Sequence, residues 1–100
     1  MILGDVIGVV TSTVKHGSLT GARLLLVRPV TPEGEIAGET EIALDSVDAG
    51  VGDRVLVNRE GRSAEAILGA EGIPVRSVIT AVVDEVESGG TVLYRKGVDR

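Results

Sequence analysis

Three segments of this chain carry apolar residues at consecutive positions, which in a β-strand lie on opposite faces. A strand between a core and water instead alternates apolar with polar residues. The alternation fails from Leu24 to Val27, from Val55 to Val57 and from Val78 to Val83, where Thr80 is the single polar residue. A small barrel can bury only its inward-facing residues, so the outward set must be covered by another surface.

Two surfaces could cover these outward residues. Burial of each Val, Leu or Ile contributes about 1.5 to 3 kcal/mol, so several of them per subunit would sustain a ring of identical copies. Alternatively, the loop from Thr31 to Gly38 and the C-terminal segment of the same chain lie over them, as loops do over satellite clusters. The first interpretation predicts an oligomer and the second a monomer.

Glycine, proline and polar residues divide the chain into short strand segments. We predict strands at Met1 to Ser12, Arg23 to Val27, Thr40 to Leu44, Arg54 to Asn58 and Ser77 to Glu87, with a weaker one at Thr91 to Tyr94. Ser63 is a suitable N-cap for helix formers that run to Gly69, which predicts one or two helical turns over 63–68. This pattern is typical of an all-β, OB-like closed barrel of five to six strands, with one short helix between the fourth and fifth strands.

The length and composition indicate one domain over residues 1–100. The chain has no Cys, and Tyr94 is its one aromatic residue, so the core must consist of Val, Ile, Leu and Ala. Without disulfides, stability must come from packing or oligomerisation. No leader sequence or apolar run of membrane-spanning length is present, so we expect a soluble, cytoplasmic protein without a membrane partner.

The charge argues against nucleic acid as a partner. The net charge is -5, and the ten basic residues are scattered among acids. A nucleic-acid site needs clustered Lys and Arg, and an OB barrel that binds single strands adds aromatic stacking platforms. The sequence has neither feature.

Residues that could carry chemistry do not converge on one site. Ser12 and Lys15 match an S-x-x-K spacing, but that motif needs a helix, and here it follows β-branched residues at a strand end. His16 is the single histidine, so it has no partner for a metal site or a triad. The acids of 84–87 fall on both faces of one predicted strand. We expect no catalytic residue, metal or cofactor.

Ordered motifs along the chain resemble the EutN/CcmL family, the pentameric vertex (shell) proteins of bacterial microcompartments. The motifs are Gly4-x3-Gly8, Lys15-x3-Leu19-x-Gly21-x2-Leu24-Leu25-Leu26-Val27, Asp45-x-Val47-x-Ala49-Gly50-x-Gly52-Asp53-x-Val55, Gly61-x-Ser63-Ala64, and Pro74 before Val78-Ile79-x2-Val82. The resemblance extends to about Glu87 and leaves 88–100 as a separate C-terminal segment. Asp48 stands where the family often has Gly, and Glu65 where it often has a basic residue.

The resemblance implies a structural subunit, not an enzyme. Such proteins form homopentamers that cap the vertices of a polyhedral shell in the bacterial cytoplasm, beside hexameric facet proteins. A monomeric OB-type binding module for a small or peptide ligand is the alternative. Candidates for the subunit interface or the ring axis come from the two-faced strands and from the glycine turn; they are Leu25, Asp48, Ala49, Gly50, Gly52 and Leu56.

Overall fold

The computed structural model describes residues 1–11, 23–59 and 76–98. Within these ranges the chain forms seven β-strands and no helix, which confirms the all-β prediction. The strands are β1 (Ile2–Val10), β2 (Leu24–Pro29), β3 (Glu41–Asp45), β4 (Arg54–Asn58), β5 (Ser77–Val82), β6 (Glu85–Ser88) and β7 (Thr91–Arg95). The helix predicted over 63–68 lies outside the described residues and is not confirmed.

Five strands form a closed barrel in the order β1-β2-β3-β5-β4. Its neighbouring strands are antiparallel except β3 and β5, which run parallel. Strands β6 and β7 form a separate two-stranded sheet. The closed barrel is therefore confirmed with five strands, and the sixth predicted strand belongs to a hairpin beside it.

The first strand bends around the barrel, as its glycines predict. Its register with β2 shifts between Val6 and Gly8, which marks a bulge. At Gly4 a Cβ atom would lie 2.5 Å from Cγ1 of Val27. Any larger residue at Gly4 would push β1 away from β2, so the small residue permits the close packing of these strands.

The barrel core consists of aliphatic side chains, as the composition predicts. Residues at alternate positions of β2 and β4 point inward and leave no accessible surface: Leu25, Val27, Val55 and Val57. Further members of the core cluster are Val6, Ala43, Ala49 and Ile79. No aromatic residue belongs to this cluster, so branched aliphatic side chains fill the small interior.

The prediction of one long strand over Ser77 to Glu87 is wrong in its extent. The structure ends β5 at Val82 and begins β6 at Glu85. Between them, the Val83 N–H donates to the Arg54 carbonyl at 2.8 Å, while the Asp84 carbonyl accepts from Lys96 N–H. The first bond continues the β4–β5 register by one residue and the second continues the β6–β7 register by one residue, so the chain changes partner between Val83 and Asp84. The turn of the hairpin places Gly89 and Gly90 at positive φ.

Candidate subunit-interface site

The glycine turn between β3 and β4 is held by hydrogen bonds at both ends. Asp45, whose side chain is almost fully buried, accepts from the N–H groups of Val47 at 3.1 Å and Ala49 at 3.2 Å. Asp53 accepts from Gly50 N–H at 2.8 Å. Carboxylates that cap backbone donors stabilise such turns, so the loop has a defined shape.

The same loop is bonded to the barrel wall. The N–H of Gly52 donates to the Val6 carbonyl, and the Val6 N–H donates to the Asp53 carbonyl, both at 2.9 Å. Arg23, the residue before β2, donates from its guanidinium to the carbonyl of Ala49. The loop is thus anchored on both β1 and the start of β2.

Asp48 lies at the tip of this loop with its side chain fully exposed. It is the one residue other than glycine with positive φ, at 58°, among the described residues. Its carboxylate lies 3.5 Å from the Arg23 guanidinium. L side chains adopt this conformation at a cost, and here it presents a carboxylate at the tip of the loop.

Two of the predicted interface residues lie in the core of the single chain. Leu25 and Ala49 have no accessible surface in the single chain and belong to its hydrophobic core. Consecutive apolar residues do not show which face of β2 points inward, and the contact of Leu25 and Ala49 with a neighbouring subunit stays a prediction. Leu25 is inward-facing, and its neighbours Leu24 and Leu26 face outward.

The other four candidates retain accessible surface. Asp48 is exposed, and Gly50 and Gly52 are half-buried in the same loop. Leu56 is half-buried on the outer wall of the barrel. The structure therefore separates the candidates into a loop and a wall rather than bringing them together, and their contact with another subunit stays a prediction.

The outer wall carries apolar side chains in rows that cross the strands. In one row Leu56 lies opposite Leu3 of β1 and Ala81 of β5, and all three are half-buried. In another, Leu26 lies opposite Ile42 of β3, which is 47% exposed. These two rows lie on different walls of the barrel, which suits a head-to-tail contact between copies.

A third outward row is covered within the chain itself. Leu24, Leu44 and Val78 lie opposite one another across β2, β3 and β5, and each is at least nine-tenths buried outside the main core cluster. Cover within the single chain therefore applies to this row. It does not hold for Ile42, which remains accessible.

Sequence reasoning missed a buried ion pair on the outer wall. Arg54 donates from Nε to Asp5 Oδ1 at 2.9 Å and from Nη2 to Asp5 Oδ2 at 3.2 Å. The Arg54 guanidinium also lies over the Tyr94 ring, 4.3 Å from its centroid. The available signal was one charged residue in each of two otherwise uncharged strands, but the partners are 49 residues apart.

A second charged group joins the ends of β3, β4 and β5. Arg59 and the Ser77 hydroxyl both donate to the Glu41 carboxylate, the latter at 2.7 Å. The hydrogen bond from Arg59 lowers the pKa of Glu41, and partial burial opposes that shift. The same contact raises the pKa of Arg59. This group is an ordinary surface ion pair with one hydroxyl donor.

The candidate chemical residues do not form a reactive site in the described part of the chain. There, no group of three or more His, Cys, Asp or Glu side chains could hold a metal ion. Asp84, Glu85 and Glu87 are exposed, and Glu85 pairs with Arg95 at 3.0 Å. Ser12, Lys15 and His16 lie outside the described residues. In the same part, no helix is long and apolar enough to cross a membrane.

Comparison with known families identifies the barrel. The family model described as ethanolamine utilisation protein EutN/carboxysome matches residues 1–84. The chain belongs to the EutN/CcmL family. The resemblance of the sequence motifs to EutN/CcmL proteins is thereby confirmed.

Curated EutN/CcmL relatives align over almost the whole chain. The microcompartment shell vertex protein EutN of Escherichia coli K12 is 38% identical over 96 residues, which are 96% of this chain and 100% of EutN. The carboxysome shell vertex protein CcmL of Thermosynechococcus vestitus is 35% identical and covers 96% of each chain.

Solved structures of EutN/CcmL proteins share the fold. CcmL of Gloeobacter violaceus aligns with a TM-score of 0.85 and 33% identity, over 96% of this chain and 98% of its own. The pentameric shell protein GrpN of Rhodospirillum rubrum aligns with a TM-score of 0.74 and 35% identity, over 88% of this chain and 99% of its own. The barrel described above is therefore the EutN/CcmL fold.

Proposed function

We propose that five copies of this chain form a ring that caps a vertex of a bacterial microcompartment shell. The observation that carries the proposal is membership of a family whose curated members are named as shell vertex proteins. GrpN, 35% identical, is described as a pentameric shell protein. The protein then acts in the cytoplasm as part of the shell.

The geometry of a closed shell explains why such a subunit is needed. A flat sheet of hexagonal tiles cannot close into a polyhedron without fivefold positions. A five-membered ring fills those positions, so the partners of this protein are further copies of itself and hexameric facet proteins.

The accessible apolar wall supports self-association. Ile42 and Leu26 lie on one wall, and Leu56 lies on another. A heterologous contact joins two different patches and closes into a ring when the rotation between subunits divides a full turn. In the ring, the patch of Leu26 and Ile42 on one copy packs on the patch around Leu56 of the next copy. The 48–52 loop lies near the neighbouring subunit or the ring axis.

The role we propose is structural and without catalysis. Its physical requirement is a rigid subunit of fixed shape, because a small change of angle at each contact would prevent ring closure. The tight aliphatic core and the anchored 45–53 loop supply that rigidity.

The mass of the purified protein tests this proposal. Native mass spectrometry should give five times the chain mass, and negative-stain imaging should show fivefold particles. A stable monomer at micromolar concentration would contradict the ring. If a small molecule or peptide then raised the melting temperature of that monomer, the binding-module alternative would replace the proposed shell function.

A further inference from the structure

The C-terminal hairpin is a separate unit of the sheet structure. The barrel strands pair with one another around a closed circle, whereas β6 and β7 pair with each other alone among the described strands. A two-stranded hairpin is marginally stable in water by itself. It must therefore be held by side-chain packing on the barrel.

Tyr94 supplies that packing. It is 1% exposed, whereas Thr91, Val92 and Arg95 of the same strand are exposed. Its ring lies against the guanidinium of Arg54, which belongs to β4 of the barrel. Arg54 points to the outer wall, because the next residue, Val55, fills the core.

Contacts other than the one with the Tyr94 side chain also hold Arg54 in place. Its two donors to Asp5 form a bidentate pair in which both residues are at least 97% buried. Gly34 lies on another side, where a Cβ would approach Arg54 Nη2 at 3.2 Å. A fixed and desolvated guanidinium is a strong partner for an aromatic face.

We propose that Asp5, Arg54 and Tyr94 form a latch that holds the hairpin on the barrel, and that the hairpin can be released without opening the barrel or the ring. The EutN/CcmL family model ends at residue 84, one residue before β6 begins. The barrel is complete within that range, so its closure does not depend on the hairpin. The statement about the ring rests on the function proposed above.

Hydrogen exchange of the full-length Tyr94→Ala variant tests the latch. Amides of 85–95 should exchange about tenfold faster or more than in the wild type, because release of the hairpin exposes its ladder bonds. Amides of β4 should keep their rates, and native mass spectrometry should give the mass of the wild-type assembly. Tyr94→Phe is the matched control and should exchange like the wild type, because the ring remains.

A second variant tests the barrel side of the latch. Asp5→Leu combined with Arg54→Met replaces both members of the ion pair by apolar side chains, so neither is left as an unpaired buried charge. Tyr94 is the one aromatic residue of the chain, so the near-ultraviolet circular dichroism reports its environment alone. We expect that signal to collapse while the far-ultraviolet spectrum keeps its strand content.

Three results would overturn the latch: unchanged hairpin exchange in Tyr94→Ala, an equal rise in β4, or loss of the wild-type assembly in that variant. An intact near-ultraviolet signal in the double variant would overturn the part assigned to Arg54. If the wild type is a monomer, the proposed function fails, whereas the comparison of exchange in the hairpin and in β4 still decides whether the latch exists.

Discussion

Arg23 donates a hydrogen bond of 3.0 Å to Asp45 and so joins the residue before β2 to the last residue of β3. The same guanidinium reaches the carbonyl of Ala49 in the following loop. One side chain therefore links two strands with the loop that we place near the neighbouring subunit.

Arg23→Met should loosen this loop while the barrel remains folded. Asp45 keeps its two backbone donors, so we expect a loss of about 1 kcal/mol in the free energy of unfolding, because the Arg23 side chain is partly exposed and water screens the pair. Hydrogen exchange should accelerate in 46–53. Arg95→Met, which removes an exposed pair with Glu85, is the control. Equal exchange in the loop of wild type and Arg23→Met would show that Arg23 does not hold it.

Leu25→Ala should destabilise the subunit itself. The side chain has no accessible surface, so truncation leaves a cavity and costs about 2 to 5 kcal/mol in urea denaturation. Leu26→Ala at the neighbouring, half-buried position should cost less. An equal loss of stability in the two variants would contradict the assignment of Leu25 to the core and of Leu26 to the outer face of β2.

Ile42→Asp should dissociate the ring without unfolding the barrel. The side chain is 47% exposed in the single chain, so a carboxylate there remains hydrated in the monomer but would be buried against the next copy in the ring that we propose. Native mass spectrometry should show monomers with unchanged circular dichroism. Ile42→Leu preserves the apolar volume and should remain assembled. A fully assembled Ile42→Asp protein would place the interface elsewhere.

The strand segments and the barrel were predictable because their signals are local. Runs of Val, Ile and Leu between glycine and proline breaks mark β2, β3 and β4. The break between β5 and β6 was not predictable, because Val83 carries no turn signal. Val83 still bonds to Arg54 of β4, whereas Asp84 bonds to Lys96 beside β7, so partners distant in sequence set the position of the break.

The candidate site was predicted less completely, also for physical reasons. Apolar residues at consecutive positions show that both faces of a strand are covered, but they do not show which face is the core. The sequence pattern therefore does not distinguish Leu25, which lies in the core, from Leu26, which lies on the outer wall. The Asp5 and Arg54 pair joins two strands that come together only in the closed barrel.

Acid should weaken the barrel through Glu41. Its pKa lies below the ordinary Glu value of 4.5, chiefly because Arg59 donates to the carboxylate. A carboxyl group with a lowered pKa in the folded state stabilises the fold above the pKa of the unfolded chain, and this contribution is lost as the pH falls through the folded pKa. Since the Arg59 side chain is half exposed, the effect is small.

The Glu41 contribution is measurable as the difference between wild type and Glu41→Gln in melting temperature against pH. Glu41→Gln should be less stable near pH 7, and the gap should narrow as the pH falls below 4.5 and through the lowered pKa of the folded wild-type carboxyl. Arg59→Met should behave in the same way, because it removes the other partner of the pair. A gap that shows no dependence on pH throughout the acid range in which the protein stays folded would contradict the ion pair as its source, since a difference in packing alone does not titrate.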